Sequence, residues 1–516
     1  MKKTKLSAVV SMSMVTTALL SACMGGADTP AETSGNKDGA AGSSASKQLD
    51  ISFVWQDSVV PTNVPTLRDK ELEKKLGVKL NPQYVLWEQN TDKFNVMFAS
   101  GQYPELLMNF NAGTANQQMK KWGQNGYLLN LKDHLDKIPN YRKLFSNEEW
   151  ETLIKYVSTD DGKMFYLPGQ NVVKMQRDWI YRKDVFEKEG LKLPATMDEL
   201  YQTLKTLKAK YPDSVPMSNR WAVDGLLAGF KQAYRTHIDF WKNPENNQIE
   251  YGPASNNYRD MLIFLNKLYK EGLIEKEFAT ITGPQWEEKN FTGKSLIEYS
   301  YGSRISYFED KAKAVAGADW ELAPQLIRGY SDKPALAEKE MPFYVSGSMA
   351  ITSAAKGEKL DKILEMINWI CSPEGIRFME AGLEGQQHEL VNGKPRLKTG
   401  FTDVSTLLKE TGFHFSLGRE TGWAEKSVND QQNDKILSMF GNEPAAPFVF
   451  FTFKEEDEKI RQSLYTGLND KRLEFSQKSI MGAVDPSKDD VWSKYIQDLE
   501  KAGLAKLMEI HKNSAK

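Results

Sequence analysis

Hydrophobic and polar positions alternate in short blocks from residue 48 onward, and the period of the alternation changes along the chain. Blocks with the length and composition of strands alternate with blocks whose apolar residues recur at helical spacing. The pattern predicts strands at 49–55, 78–80 and 104–109 and helices at 67–76 and 92–99. This order of strands and helices is typical of an α/β fold.

Further helices are predicted along the rest of the chain. A capping box formed by Thr196 and Glu199 opens an amphipathic helix that runs to Lys210. Helical spacing also predicts helices at 258–269 and 360–370, and one long C-terminal helix over 489–512.

The ends of the first three strands are candidate ligand contacts, because ligands of open α/β sheets bind beyond the carboxyl ends of the strands. The residues placed there by the pattern are Trp55, Trp87, Asn109 and Phe110.

The first 22 residues have the features of a secretion signal. Lys2, Lys3 and Lys5 precede an apolar stretch that is too short for a stable membrane span, and small residues lead to Cys23. The ending Leu-Ser-Ala-Cys resembles the bacterial lipobox, which implies that Cys23 is lipidated and becomes the first residue of the mature protein. A cytosolic protein with a hydrophobic first helix is the alternative reading.

Residues 23–47 are predicted to form a disordered tether, because they are rich in Gly, Ala, Ser and Thr and poor in apolar groups. A flexible coil of this length spans roughly 25–30 Å. Removal of residues 1–22 leaves 64 basic and 69 acidic residues and a net charge of −5. With no basic excess, nucleic acid is not expected as a partner. Cys371 has no second cysteine to pair with and is predicted to be a buried, inert thiol.

Several motifs resemble those of family 1 extracellular solute-binding proteins. They are Ala99-Ser-Gly-Gln-Tyr-Pro104-Glu105, Asp161-Gly-Lys163-Met-Phe-Tyr166-Leu-Pro168, Trp179-Ile-Tyr-Arg182-Lys-Asp184, Leu191-Lys-Leu-Pro194-Ala-Thr196-Met-Asp-Glu199 and Ser372-Pro373-Glu374-Gly375. The resemblance covers nearly all of residues 48–512, and its specificity lies in the number, order and spacing of the motifs. It is strongest to the lipoprotein subgroup that includes LplA, YtcQ and LipO, to which the alginate-binding type is akin.

This resemblance implies an α/β, two-lobed periplasmic-binding-protein-like fold of type II, with a ligand cleft between the lobes. Lobe one is expected at 48–168 plus 325–380, and lobe two at 169–324 plus 381–516. It also implies an ABC importer subunit, not an enzyme, that captures a carbohydrate by hinge closure and hands it to permease subunits in the membrane. The protein is expected to be a monomer on the extracellular face of the cell membrane, anchored there by Cys23.

An oligosaccharide cleft needs aromatic faces for the C–H side of the sugar ring and polar side chains for its hydroxyl groups. The chain has 12 Trp, 20 Tyr and 24 Phe, enough to supply such faces, and any one of them can equally be packing in a core. Besides the strand-end residues, the predicted ligand-binding residues are Arg177, Trp221, Tyr299, Tyr301, Glu384 and Trp423. Arg220 is a further polar candidate.

Neither a metal nor another cofactor is expected. Some relatives have a calcium loop after the helix that corresponds to 196–210, but here the loop offers only one carboxylate, Asp213, whereas calcium takes about six to eight oxygens. His388-Glu389 is not followed by a second histidine at helical spacing, and Gly293-Lys294-Ser295 lacks the first glycine of a phosphate-binding loop. A surface-anchored glycan-active enzyme and a sensor or adhesin lipoprotein without a permease remain the alternatives.

Overall fold

A computed structural model describes residues 49–57, 60–86, 90–111, 116–312, 315–329, 333–402 and 404–515. The strands are β1 Leu49–Asp57, β2 Val78–Leu86, β3 Leu106–Asn111, β4 Leu167–Gln170, β5 Arg177–Arg182, β6 Phe240–Lys242, β7 Ile249–Tyr251, β8 Ile297–Tyr301, β9 Trp320–Leu322, β10 Phe343–Ile351, β11 His388–Val391 and β12 Lys394–Leu397. The helices are α1 Leu67–Leu76, α2 Asn90–Ala99, α3 Asn116–Gln124, α4 Pro139–Lys143, α5 Asn147–Val157, α6 Lys183–Glu189, α7 Met197–Lys210, α8 Ala222–Ala233, α9 Asn256–Lys270, α10 Gly283–Phe291, α11 Arg304–Lys311, α12 Glu358–Ile370, α13 Pro373–Ala381, α14 Val404–Thr411, α15 Val428–Phe440, α16 Glu455–Met481, α17 Asp489–Lys501 and α18 Leu504–Ser514.

The first lobe is built on a five-stranded sheet with the order β2-β1-β3-β10-β4. β1 runs parallel to β2 and β3, and β10 runs antiparallel to β3 and β4. Phe53, Val54 and Trp55 point to both faces of β1 and are all at most 2% exposed, as expected for a strand covered on both faces. The predicted order β1-α1-β2-α2-β3 is confirmed.

The second lobe contains a three-stranded antiparallel sheet with the order β8-β5-β9. Helices α7, α8 and α9 contribute Leu204, Phe230 and Leu265 to one buried cluster with Trp179 of β5. The predicted capping box of α7 is confirmed: the Thr196 side chain accepts from the Glu199 amide, and Glu199 bonds back to the Thr196 amide.

Across the described part of the chain, three segments connect the two lobes. Residues 171–176 join β4 to β5, residues 323–342 join β9 to β10, and residues 418–427 lead from Leu417, in the core of the first lobe, to α15, whose Ile436 packs on β5 and β9. The lobe boundaries drawn from the sequence stay a prediction. Gly412 and Leu417, which they place in lobe two, contact the first lobe, since the Gly412 carbonyl accepts from Arg68 at 2.6 Å.

The predicted single C-terminal helix is wrong in one respect, because residues 489–512 form two helices, α17 and α18. Gly503 separates them with φ +99°, and a Cβ there would lie 2.8 Å from the side chain of Leu464 on α16. The tight approach of α16 therefore requires a glycine and turns the chain. The long helix α16 is itself an element that the hydrophobic pattern did not predict.

Cys371 ends α12 and is 3% exposed in the core of the first lobe, which confirms the prediction of a buried thiol. Burial raises the pKa of this thiol, so it has little thiolate character. Within the described part of the chain, none of the helices combines the length and hydrophobicity needed to cross a membrane. Cys23 and the tether lie outside the described residues.

Candidate functional site

An aromatic and cationic cluster lies at the end of the second sheet that is nearest the hinge. β5 begins at Arg177 directly after the connection 171–176, and Arg177 stands opposite Tyr301, the last residue of β8. Arg177 Nη2 donates to the Tyr301 hydroxyl at 2.7 Å, and the guanidinium carbon lies 4.6 Å from the centre of the tyrosine ring. Trp221 meets the same ring edge-on, with 5.7 Å between centroids and planes at 90°. Three predicted residues from separate parts of the chain therefore lie together.

Trp221 is held on the surface in a strained conformation. It is 47% exposed, and it has φ +64° and ψ +43°, a left-handed geometry that tryptophan rarely adopts. Ala222 follows with φ +52° and begins α8. Left-handed backbone in residues other than glycine costs on the order of 1–3 kcal/mol and concentrates at ligand sites. A large exposed aromatic held at such a cost is a candidate stacking surface.

Gly225 allows the turn before α8 to fold back onto the helix. A Cβ at this position would lie 1.5 Å from the carbonyl oxygen of Arg220. Only a glycine therefore fits here, and the turn that presents Trp221 depends on it. Gly229, one turn further along, similarly lets α8 approach Tyr299, whose Cβ would be 2.6 Å from an added methyl group.

Behind Trp221 lies a second indole. Trp286 is 1% exposed, and the Arg220 guanidinium carbon lies 4.9 Å from the Trp221 ring centre and 5.1 Å from that of Trp286. Trp286 Nε1 donates to Glu298 Oε2 at 2.8 Å. Burial raises the pKa of Glu298 to about 7, and the hydrogen bonds from Trp286 and Ser218 offset the loss of hydration only in part.

Glu338, in the connection between β9 and β10, joins the cluster to the hinge. It accepts from the Tyr299 hydroxyl at 2.9 Å, and its oxygens lie 3.3 Å from Lys231 Nζ and 3.5 Å from Arg177 Nη1. Burial acts to raise the pKa of this carboxyl, but Lys231 and Arg177 outweigh burial and hold the pKa below its usual value. Tyr299 therefore has two roles: its hydroxyl donates to Glu338 of the hinge connection, and its ring packs against Trp179, with 5.8 Å between centroids.

The first lobe contributes a cavity of about 140 Å³ to the region near the hinge. Asn109 has φ +49° and donates from Nδ2 to the Gln56 carbonyl at 2.6 Å and to Asp57 Oδ2 at 2.7 Å. Burial raises the pKa of the Tyr344 phenol, and the charge of Arg419 opposes this shift in part. The lining residues are Asp57, Asn109, Gly169, Gln170, Tyr344, His414, Phe415, Ser416 and Arg419.

Trp55 lies beneath this cavity and has no free face. It is 0% exposed, its ring is covered by the Arg68 guanidinium at 3.7 Å, and Phe415 meets it edge-on at 5.7 Å. Its Nε1 donates to Asp57 Oδ2 at 3.3 Å. The predicted stacking contact of Trp55 with a ligand has no room here, because β1 is a central strand. The indole instead supports Asp57 from below.

Among the described side chains, those of Glu384 and Trp423 are not brought into either group. Glu384 is exposed and forms a backbone β-bridge with His388 in the turn before β11. Trp423 is half-buried in the connection 418–427. Phe110 lies opposite Ser348 in the first sheet, while Trp87 falls outside the described residues. The ligand contacts of all these residues stay predictions.

The sequence reasoning missed several residues of the two surfaces. Gln170 and Tyr344 come together through the pairing of β4 with β10, which are more than 170 residues apart in the chain, and no local pattern indicates such a pairing. Arg304 had a signal, since it follows the end of β8 by three residues. Across the described ranges, no three His, Cys, Asp or Glu side chains are grouped as a metal site would require. The expected absence of calcium stays a prediction.

Comparison with known proteins gives a consistent result. The family model described as bacterial extracellular solute-binding protein matches residues 68–382. The lipoprotein LipO of Bacillus subtilis is 25% identical over 344 residues, which cover 63% of this chain and 64% of LipO. The polygalacturonan/rhamnogalacturonan-binding protein YtcQ of the same organism is 23% identical over 410 residues, which cover 76% of this chain and 79% of YtcQ.

Solved structures support the two-lobed fold. The crystal structure of the alginate-binding protein AlgQ2 without calcium ion superposes with a TM-score of 0.72 at 20% identity, covering 91% of this chain and 98% of AlgQ2. The Streptococcus pneumoniae substrate-binding protein FusA in complex with kestose gives 0.71 at 19% identity, covering 90% of this chain and 98% of FusA. Because the family model spans more than half of the sequence, the chain belongs to the bacterial extracellular solute-binding proteins.

Proposed function

We propose that this protein captures an oligosaccharide outside the cell membrane and delivers it to the permease of an ABC importer. The observation that carries the proposal is the exposed, strained Trp221, with Tyr301 and Arg177 beside it at the hinge end of the second sheet. The indole offers a face for the C–H side of a sugar ring, and the guanidinium offers donors for its hydroxyl groups.

The opposite surface supplies complementary polar groups. Asp57, Asn109 and Gln170 line the cavity of the first lobe and can bond to the hydroxyl groups of a sugar held against Trp221. Closure of the hinge would bring the two surfaces onto the ligand, and only contacts made in the closed state can drive that closure. The similar proteins support a carbohydrate as the ligand, since FusA is a fructooligosaccharide-binding protein and YtcQ binds polygalacturonan and rhamnogalacturonan.

The proposal includes anchoring by Cys23 to the extracellular face of the cell membrane, and a monomeric state. A monomer with its own lipid anchor can bind a ligand and release it to a neighbouring permease. Metabolic labelling with a fatty acid, followed by fractionation, tests the anchor: wild-type protein should carry the label in the membrane fraction, whereas Cys23→Ala should not. A cytosolic, unlabelled wild-type protein contradicts this part of the proposal.

Binding is tested by titration calorimetry of the mature protein, residues 23–516, with a panel of neutral and acidic oligosaccharides. We expect at least one to bind and to raise the melting temperature by mass action. Analysis of the mixtures after long incubation distinguishes a receptor from a glycan-active enzyme, because the receptor returns the ligand unchanged. Failure of every oligosaccharide to bind would refute the proposed function.

A further inference from the structure

Two arginines share the space around Trp286, next to the exposed Trp221. The Arg220 guanidinium carbon lies 5.1 Å from the Trp286 ring centre, and that of Arg304 lies 5.6 Å from it. Arg220 also covers Trp221 at 4.9 Å, and Arg304 covers Tyr307 at 5.2 Å. The two guanidiniums come from different segments, the turn before α8 and the first residue of α11. Their convergence is therefore a product of the tertiary fold.

The charges of these arginines are not balanced by a direct ion pair. Among the described residues, neither guanidinium forms an ion pair with a carboxylate, whereas Arg472 pairs with Asp224 at 2.5 Å and Arg259 with Asp489 at 2.7 Å. The two groups also repel each other: burial, and next to it the charge of Arg220, lower the pKa of Arg304. Two like charges near each other, with no carboxylate paired to either, create a positive potential that favours an anion.

The carboxyl groups near Arg304 do not remove this imbalance. Glu287 and, more weakly, Glu298 act on Arg304 through their charge without forming an ion pair with it. Glu298 is 1% exposed and accepts from Trp286 Nε1 at 2.8 Å and from the Ser218 hydroxyl at 3.3 Å. These bonds hold its carboxyl group at the edge of the indole ring.

We propose that Arg220 and Arg304 bind the carboxylate of an acidic oligosaccharide, a uronate, whose neighbouring ring stacks on Trp221. The inference rests on the proposed function and narrows its substrate class. A guanidinium presents two parallel N–H groups that match a carboxylate, and this fork discriminates a carboxylate from a hydroxyl group by charge and by geometry. A neutral sugar would leave both charges uncompensated in a partly desolvated site.

The test compares acidic and neutral oligosaccharides of equal length by titration calorimetry of the mature protein. The acidic probes are trimers of galacturonate, mannuronate and guluronate and a glucuronate-bearing xylobiose. The neutral probes are galactotriose, mannotriose, xylotriose, kestose and the methyl ester of trigalacturonate. Inorganic phosphate serves as the free-anion arm. We expect an acidic probe to bind most tightly, and its affinity to fall as ionic strength rises.

Arg220→Gln and Arg304→Gln should each weaken that acidic probe by roughly 10- to 100-fold, the scale of a hydrogen bond to a charged group. They should change the affinity for a neutral probe by less than about threefold. The Lys variants at both positions should recover part of the affinity, because they keep the charge and lose the fork. Arg396→Gln removes the same charge from the exposed hairpin, where Arg396 pairs with Glu389, and should leave binding unchanged.

The outcomes separate the inference from the proposed function. If only neutral probes bind, or if an acidic probe binds equally well to the Gln variants, the carboxylate site is wrong and the receptor function stands. If inorganic phosphate binds but no acidic oligosaccharide does, the carboxylate site is also wrong. If no oligosaccharide binds, the proposed function fails. Melting temperatures of the ligand-free variants within a few degrees of wild type show that the fold is retained.

Discussion

Trp221 gives a prediction in which the effects of one side chain on stability and on affinity can be measured separately. Its side chain is 47% exposed, meets Tyr301 edge-on at 5.7 Å and lies under the Arg220 guanidinium at 4.9 Å. Trp221→Ala removes an edge-to-face pair and an exposed cation–π contact and keeps the left-handed backbone. The free energy of unfolding should therefore fall by about 1–2 kcal/mol. The affinity for the bound oligosaccharide should fall by roughly 5- to 150-fold, the scale of one ring stacked on an aromatic side chain, about 1–3 kcal/mol.

Trp221→Gly removes the same ring but also relieves the strain at φ +64°. A left-handed residue other than glycine costs about 1–2 kcal/mol, so the Gly variant should be more stable than the Ala variant by about 1 kcal/mol. Its affinity should be as low as that of the Ala variant. The difference in stability between the Gly and Ala variants then measures the backbone strain, and their shared loss of affinity measures the contribution of the ring.

The assay combines urea unfolding, followed by tryptophan fluorescence and circular dichroism, with titration calorimetry. Trp150→Ala is the matched control, because Trp150 also packs under an arginine, Arg142 at 4.9 Å, but lies in the first lobe and does not line the cavity. It should lower stability and leave affinity intact. Unchanged affinity in both Trp221 variants would refute the stacking role. A Gly variant that is less stable than the Ala variant would refute the strain argument.

Three further predictions follow from the same geometry. Trp55→Ala should destabilise the protein by about 3–5 kcal/mol in urea unfolding, because it empties a fully buried site under Arg68; a loss below 1 kcal/mol would contradict the burial of this indole. Gly225→Ala should weaken ligand binding, because its Cβ would lie 1.5 Å from the Arg220 carbonyl oxygen. In Gly467→Ala, on α16, the added Cβ meets nothing within 4 Å and should raise the free energy of unfolding by about 1 kcal/mol. Equal changes in ligand affinity in the two variants would be inconsistent with this packing. The pKa of Glu298 is about 7 in the folded protein and 4.5 in the unfolded chain. The folded state therefore binds the proton more tightly, and the carboxyl group stabilises the fold at low pH. This contribution is lost as the pH rises from about 5 to 7, at about 1.4 kcal/mol per pH unit. Glu298→Gln should flatten the pH profile of the unfolding free energy in that window, and a variant with the wild-type slope would rule out this assignment.

Local sequence information predicted much of the first lobe. The elements β1 to β3 with α1 and α2 between them are set by short-range hydrophobic periods, and the capping box of α7 lies within four residues. Trp221 and Tyr301 were selected because they fall near predicted loops or strand ends, and Arg177 was selected as a polar partner; the three do lie together. Trp55 was selected by the same logic and lies in the core. The difference is that β1 is central in its sheet and covered on both faces, a property of strand order that the local pattern does not contain.

The sequence alone determined the alternation of strands and helices, the family, and the kinds of side chain available to a site, because each depends on residues close together in the chain. The tertiary structure decided which side chains are accessible and which charges meet. Gln170 and Tyr344 face one cavity only through the pairing of β4 with β10, and Arg220 and Arg304 converge only because the end of β8 packs beside the turn before α8. The break at Gly503 likewise depends on Leu464 of a neighbouring helix. Accessibility and electrostatic balance arise from contacts between distant segments, and such contacts exist only once the chain has folded.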